Sequence, residues 1–232
     1  MATFWWRDDD AVRPTPALDR LLSLSGRHGV PVALAIIPAF VEDGLARRLE
    51  SYMATVLQHG WAHANHAPDG EKKAELGDHR PSPAIGEELE RGADRLRTLF
   101  GGRFLPVLTP PWNRIGAETT AALPGWGYSG LSIFGPRKAA GDGIVRVNTH
   151  ADIIDWRGDR GFAGDRAVLD AACRHLSARR AGTVDPDEPT GLLTHHLDHD
   201  AESWDFIDRL LSRTRSHPAV SWRSAATLFD NG

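Results

Sequence analysis

The sequence predicts an α/β protein in which residues 1–232 form a single domain, a distorted (β/α) barrel of about seven parallel strands. Three observations predict it. Short apolar runs recur along the chain, segments of helical periodicity separate them, and the reactive polar residues fall just beyond the ends of those runs.

The apolar runs are Thr3 to Arg7, Val32 to Ile37, Leu57 to Ala62, Phe104 to Leu108, Tyr128 to Ile133, Ile144 to Val147 and Gly191 to Thr194. Each has the length and bounding residues of a buried strand. Between them lie apolar residues at helical spacing: Leu45, Leu49, Met53 and Val56; Ile85, Leu89, Leu96, Leu99 and Phe100; Val168, Leu169, Ala172 and Leu176; Trp204, Ile207, Leu210 and Leu211. Alternation of this kind favours a parallel sheet covered by helices, closed or nearly closed; a doubly wound open sheet is the other arrangement of the same elements. Ala67 to Pro83 and Gly135 to Gly143, rich in Gly, Pro and charge, interrupt the rhythm and read as surface loops.

With 41% hydrophobic and 25% charged residues, the chain has the proportions of a globular protein with one substantial core. Its net charge of −4 comes from interspersed acids and bases, which provides no electrostatic footprint for nucleic acid or an anionic membrane. The lone cysteine, Cys173, excludes an intrachain disulfide, and its helical setting predicts burial as a small hydrophobe. Neither a basic and apolar leader nor an apolar run of spanning length is present, so the sequence is read as soluble and cytoplasmic, with no membrane span.

Polar residues cluster where the strands end, at the face on which such barrels assemble their sites: Asp8, Asp9 and Asp10; His59 and His63; Pro110 to Asn113; His195. Three adjacent carboxylates repel and need a cation, an arginine or water; Arg7 offers partial relief, and an acidic run by itself is usually a solvated turn. His59 and His63, four apart and followed by His66, with one aspartate, match the first shell of a catalytic divalent ion while leaving coordination positions open. On a helix both rings face one ion; on a strand they require a turn near Gly60; histidines of a surface loop are the plainer reading. Leu192 to His196 ends a strand in two histidines, with Asp198, His199 and Asp200 beyond, where an aspartate capping a helix and a general-acid histidine are compatible.

In order and spacing, these segments resemble the five motifs of the polysaccharide deacetylases, carbohydrate esterase family 4, over residues 4–200. Arg7-Asp8-Asp9-Asp10-Ala11 resembles the first motif, Thr-Phe-Asp-Asp-Gly, which implies Asp9 as general base and Asp10 as metal ligand. His59-Gly60-Trp61-Ala62-His63 resembles the second, His-Ser/Thr-x-x-His, with glycine in place of the hydroxyl residue, and implies His59 and His63 as the other ligands. Thr109-Pro110-Pro111-Trp112-Asn113 matches the third, Arg-x-Pro-x-Gly, only in part. The resemblance implies an oxyanion donor at the Trp112 backbone N–H, but Thr109 stands where an arginine orients the base, a task left to Arg7 or Arg114. Asp152-Ile153-Ile154-Asp155-Trp156 resembles the fourth motif and Leu192-Leu193-Thr194-His195 the fifth, which implies His195 as general acid held by Asp155.

What the resemblance implies is a metal-dependent hydrolase holding one divalent ion, zinc or else cobalt or nickel, that removes an N-acetyl or O-acetyl group from an acetylated amino sugar or glycan precursor. A non-sugar amide would use the same residues. A non-catalytic sugar- or metal-binding relative is the reading from another class; it needs ligands and aromatic walls but not both Asp9 and His195. Trp112, in a polar loop, suits a substrate wall, whereas Trp61 and Trp156 read as core. The segment from His66 through Lys72, Lys73 and Glu75 reads as a charged solvated loop, with gating of the site or anion recognition as the sharper role.

Overall fold

The structure is a computed structural model that describes residues 1–138 and 141–230, so two positions of the Gly135–Gly143 loop lie outside the described residues. Among the described residues nine strands, all paired in parallel, form one half-barrel sheet: β1 (Ala2–Ala11), β2 (Val32–Ile36), β3 (Ala54–His59), β4 (Phe104–Thr109), β5 (Gly130–Leu131), β6 (Val145–Arg146), β7 (Ala151–Asp152), β8 (Thr190–Thr194) and β9 (Val220–Trp222). The order is β6-β5-β4-β3-β2-β1-β8-β7, and β9 pairs with the start of β1. No ladder joins β6 to β7 among the described residues, so the barrel is open there.

Strand alternation sorts the side chains into two layers. Trp5, Ala33, Leu57, Val107 and Val147 face one side, where Phe229 packs edge-on to Trp5 at 6.1 Å. Trp6, Leu34, Ile36, Val56 and Leu192 face the other, against helices α1 (Pro16–His28), α2 (Asp43–Leu49), α3 (Ser82–Phe100), α5 (Asp165–Ala181) and α6 (Ala201–Thr214). Each fully buried Leu or Ile in this layer contributes about 1.5–3 kcal/mol. The short helices α4 (Ala117–Ala122) and α7 (Ala225–Leu228) complete the fold. Helix starts follow capping chemistry: the Thr15 hydroxyl accepts from Leu18 N–H at 3.0 Å ahead of Pro16, and Asp200 accepts from Ser203 N–H at 2.7 Å at the start of α6.

Several expectations need correction. Helix α2 stops at Leu49, because Met53 is exposed and Val56 already lies in β3. That strand begins three residues before Leu57 and ends at His59, where the chain turns at Gly60. Cys173 is exposed, since the buried face of α5 runs through Val168 and His175 rather than through the cysteine. No helix among the described residues is long and apolar enough to cross a membrane.

Candidate active site

The two carboxylates of the site come from one strand, and a bulge makes that possible. In β1, Trp5, Arg7 and Asp9 alternate with Trp6 and Asp8, so Asp10 is due to face the helices. The pairing with β2 slips from Asp8 opposite Leu34 to Ala11 opposite Ile36, and Asp10 takes a left-handed conformation with φ 71°. One extra residue on β1 thereby re-aims Asp10 toward His59 at the end of β3 and His63 in the turn beyond it.

Arg7, wholly buried, faces Asp9 on the same side of the strand. Its Nε lies 2.9 Å from Oδ1 and one terminal nitrogen donates to Oδ2 at 3.0 Å. The remaining donors reach Asn113 Oδ1 at 2.7 Å and the hydroxyl and carbonyl of Ser132 at 2.7 and 3.1 Å. Arg114, by contrast, donates to Lys73 O at the surface. A buried guanidinium from β1 therefore stands beside Asp9, the carboxylate that the resemblance makes the base and pairs with an arginine at the position of Thr109. Asn113 was read only as the last residue of the third-motif segment, and Ser132 was not singled out in the sequence.

His59 ends β3, and its Nδ1–H donates to Thr109 O at 2.9 Å, which leaves the Nε2 lone pair directed at Asp10 Oδ1, 3.2 Å away. His63 Nε2 lies 3.5 Å from the same oxygen. The two imidazoles meet through a turn rather than a helix, with φ 58° at Gly60 and 54° at His63. The turn is built around Glu75, whose buried carboxylate accepts from the N–H groups of Ala62 (2.7 Å), Trp61 (3.2 Å) and Ala64 (3.4 Å). A Cβ on Gly60 would stand 1.9 Å from Glu75 Oε2, which explains why this position carries no side chain. Glu75, which the sequence places in a solvated loop, is thus a buried support for the second motif; burial raises its pKa against the three N–H groups that lower it.

The donors of Asp10, His59 and His63 lie within 4.8 Å of one another, a span that suits one divalent ion. The fit is chemical as well: His59 has its tautomer fixed by a backbone acceptor, as metal-bound histidines do, and Asp10 Oδ1 is buried without a hydrogen-bond partner. Burial works to raise the Asp10 pKa, but the His59 ring beside it and the nearby histidine charges outweigh it and hold the carboxylate well below its ordinary range. Burial likewise works to lower His59, yet Asp9 and Asp10 outweigh it and raise it; burial and the His59 charge lower His63. Asp10 thus presents a carboxylate to two imidazole nitrogens.

His195 closes the site from β8, with Nε2 3.9 Å from Asp9 Oδ2 and Nδ1 buried without a partner. Asp155 is not its holder. That residue is exposed and its Oδ1 accepts from the N–H groups of Arg157 and Gly158, tying a turn beyond β7. The carboxylate of this segment that feels His195 is Asp152, three residues earlier and in register with Leu193; burial raises its pKa and the His195 charge opposes the rise.

Trp156 is 41% exposed rather than core, donates to Asp152 Oδ2 at 2.8 Å and stands edge-on to His195 at 4.6 Å. Trp112 packs against His63 at 4.4 Å with φ 54°, while its turn is closed by Asn113 and Arg114 N–H, leaving the Trp112 N–H outside those bonds. Trp61 is half-buried beneath the Arg91 guanidinium, 4.1 Å from the ring centre. Two indoles, Trp112 and Trp156, thus pack against His63 and His195, the histidines that approach Asp10 and Asp9.

A second cluster, His150, His175 and Glu188, has donor types that a metal accepts, and all three residues are buried. Nε2 of His150 and of His175 lie 3.4 and 3.5 Å from the Glu188 carboxylate, and both nitrogens and Glu188 Oε1 are buried without a hydrogen-bond partner. The rings stack 3.4 Å apart at 14°, so one ion cannot lie in both ring planes, and Gly191 N–H donates to His150 Nδ1, which puts the neutral ring's proton on Nε2 facing Glu188. Burial works to raise Glu188, but the two histidines and the Arg137 N–H hold its pKa down at about 2.

No protein-family model matches the chain, and no curated protein matches its sequence. Solved structures do. A polysaccharide deacetylase described as putative, from Mycobacterium smegmatis, is similar at TM-score 0.72 and 14% identity over 98% of this chain and 88% of that one. A family 4 carbohydrate esterase from Streptomyces lividans in complex with acetate is similar at 0.59 and 15% over 91% and 86%. A family 4 acetyl xylan esterase from Clostridium thermocellum in complex with a cobalt ion gives 0.57 and 13% over 98% and 90%. The architecture of this chain is that of the family 4 carbohydrate esterases and polysaccharide deacetylases.

Proposed function

We propose that the chain, acting as one catalytic domain, is a metal-dependent hydrolase that removes an acetyl group from an acetylated amino sugar or glycan precursor. The observation that carries this reading is the grouping of Arg7-bound Asp9, 3.9 Å from His195, beside the three converging donors of Asp10, His59 and His63. A module that only binds sugar or metal has no use for a buried, arginine-held carboxylate facing a histidine across such a site.

Asp10, His59 and His63 would hold one divalent ion, zinc or else cobalt or nickel, whose chemistry is Lewis-acid polarisation of the acetyl carbonyl and of water. Asp9, oriented by Arg7, takes a proton from the attacking water. As water adds to the carbonyl carbon, the Trp112 N–H donates to the developing oxyanion. His195 gives its proton to the departing amine as the C–N bond breaks, which releases acetate and the free amino group; Asp152 steadies the imidazole. Trp112 and Trp156 supply flat walls for the C–H faces of a sugar ring. An O-acetyl ester would follow the same course with an alcohol as leaving group.

The test is acetate release from N-acetylated chito-oligosaccharides by protein supplied with zinc or cobalt, wild type beside Asp9→Asn. The reading requires turnover in the wild type, a loss of about 100-fold or more in the variant and unchanged metal content. Equal rates in the two proteins would reject it.

A further inference from the structure

Asp8 is the acidic residue that the chemistry above leaves unused, and it is fully buried on the face of β1 opposite Arg7 and Asp9. All the hydrogen bonds of its carboxylate go to Thr194, the last residue of β8, and to His196 just beyond it. Oδ2 accepts from the Thr194 hydroxyl at 2.6 Å and from His196 N–H at 3.0 Å, and Oδ1 accepts from His196 Nδ1 in a short bond. The Thr194 hydroxyl is also the acceptor of Trp6 Nε1–H at 2.9 Å.

The two residues that Asp8 grips are the chain neighbours of His195. The backbone there is extended, with φ −137° and ψ 90° at His195, so neighbours fixed on one side of the strand hold the middle side chain on the other. That other side is the site, where His195 Nε2 meets Asp9. A carboxylate and an imidazole sunk against an apolar layer cost more to bury than leucines of similar volume would, so stability alone does not explain them. Their directional bonds fix the alignment of β8 against the strand that carries Asp9 and Asp10.

We infer that Asp8 and His196 are a positioning pair that sets where His195 stands relative to Asp9, and so governs protonation of the leaving group. This rests on the proposed role of His195 as proton donor. The effect therefore depends on the leaving group: an amine must be protonated to depart, whereas 4-nitrophenolate leaves without help.

The experiment compares the wild type, Asp8→Leu/His196→Leu, which replaces the buried pair by apolar side chains, and Asp8→Asn, which keeps an acceptor oxygen. Hydrolysis of N-acetylated chito-oligosaccharides should fall about 100-fold in kcat in the double variant, with KM and metal content unchanged, and by less in Asp8→Asn. Hydrolysis of 4-nitrophenyl acetate should stay within about two-fold. Equal losses on both substrates, or no loss on either, would overturn the inference. A crystal structure of the double variant gives the readout that needs no activity: His195 Nε2 should move from its 3.9 Å approach to Asp9, and an unmoved imidazole refutes the positioning role even if the hydrolase reading itself fails.

Discussion

Arg7 and Asp9 stand two residues apart on one strand, and the guanidinium meets both carboxylate oxygens, at 2.9 and 3.0 Å, with neither residue open to solvent. A pair so buried and so well bonded is costly to break from one side. Arg7→Ala should destabilise the fold by about 3–5 kcal/mol in denaturant titration. Arg7→Lys keeps the charge but not the fork, and should lower kcat by about 10–100-fold with metal content retained. A fully active Arg7→Lys protein would mean that the fork does not tune Asp9.

The turn carrying His63 depends on a carboxylate inside it. Gly60→Ala drives a Cβ to 1.9 Å from Glu75 Oε2 at a residue with φ 58°, and Glu75→Gln puts an N–H donor where backbone N–H groups need an acceptor. Both should weaken zinc affinity by about 10–100-fold, measured by competition with a chromogenic chelator. Glu75→Gln should also cost about 1–3 kcal/mol of stability.

Asp152 and Asp155 should separate cleanly. Asp155→Ala removes only a turn's own hydrogen bonds at the surface and should leave kcat within about two-fold, with a stability change of about 1 kcal/mol or less. Asp152→Asn alters the carboxylate that interacts with His195 and should depress amide hydrolysis by at least about ten-fold. The reverse ranking would restore Asp155 as the partner of His195.

His199 gives stability a pH dependence of definite sign. Burial, together with His196 and His195 nearby, lowers its pKa from 6.5 to about 4 although Asp8 and Asp200 oppose the shift, and neither ring nitrogen has a hydrogen-bond partner. Because the unfolded chain binds that proton more readily, the associated stability is complete above pH 6.5 and is lost as pH falls toward 4. The loss approaches roughly 3 kcal/mol. His199→Leu should flatten this slope in urea titrations at pH 7 and pH 5, and an unchanged slope would assign it to other groups.

Much of this was legible in the sequence because apolar runs report buried strands directly. β1, β2, β4 and β8 lie where Thr3 to Arg7, Val32 to Ile37, Phe104 to Leu108 and Gly191 to Thr194 predict them. β7 and β9 were not legible, since runs of two and three residues carry no period. The convergence of Asp9, Asp10, His59, His63 and His195 could be anticipated from their order along the chain. The bulge that turns Asp10 inward could not, because it is set by pairing with β2 rather than by β1 itself. Glu75 was hidden for a related reason: in a charged loop, only the three-dimensional turn reveals which carboxylate is buried. Asp155 was read as the partner of His195 because spacing alone does not tell a strand residue, such as Asp152, from the turn three positions later.

The central claim is tested most directly by metal content per chain, measured by plasma mass spectrometry after zinc loading and desalting, for the wild type beside His59→Ala/His63→Ala. One equivalent in the wild type and almost none in the variant is the predicted result. A wild type that takes up neither zinc nor, in parallel loadings, cobalt or nickel would contradict the claim, and so would a variant that keeps its full equivalent, which would move the ion to His150, His175 and Glu188 and leave Asp10 without one.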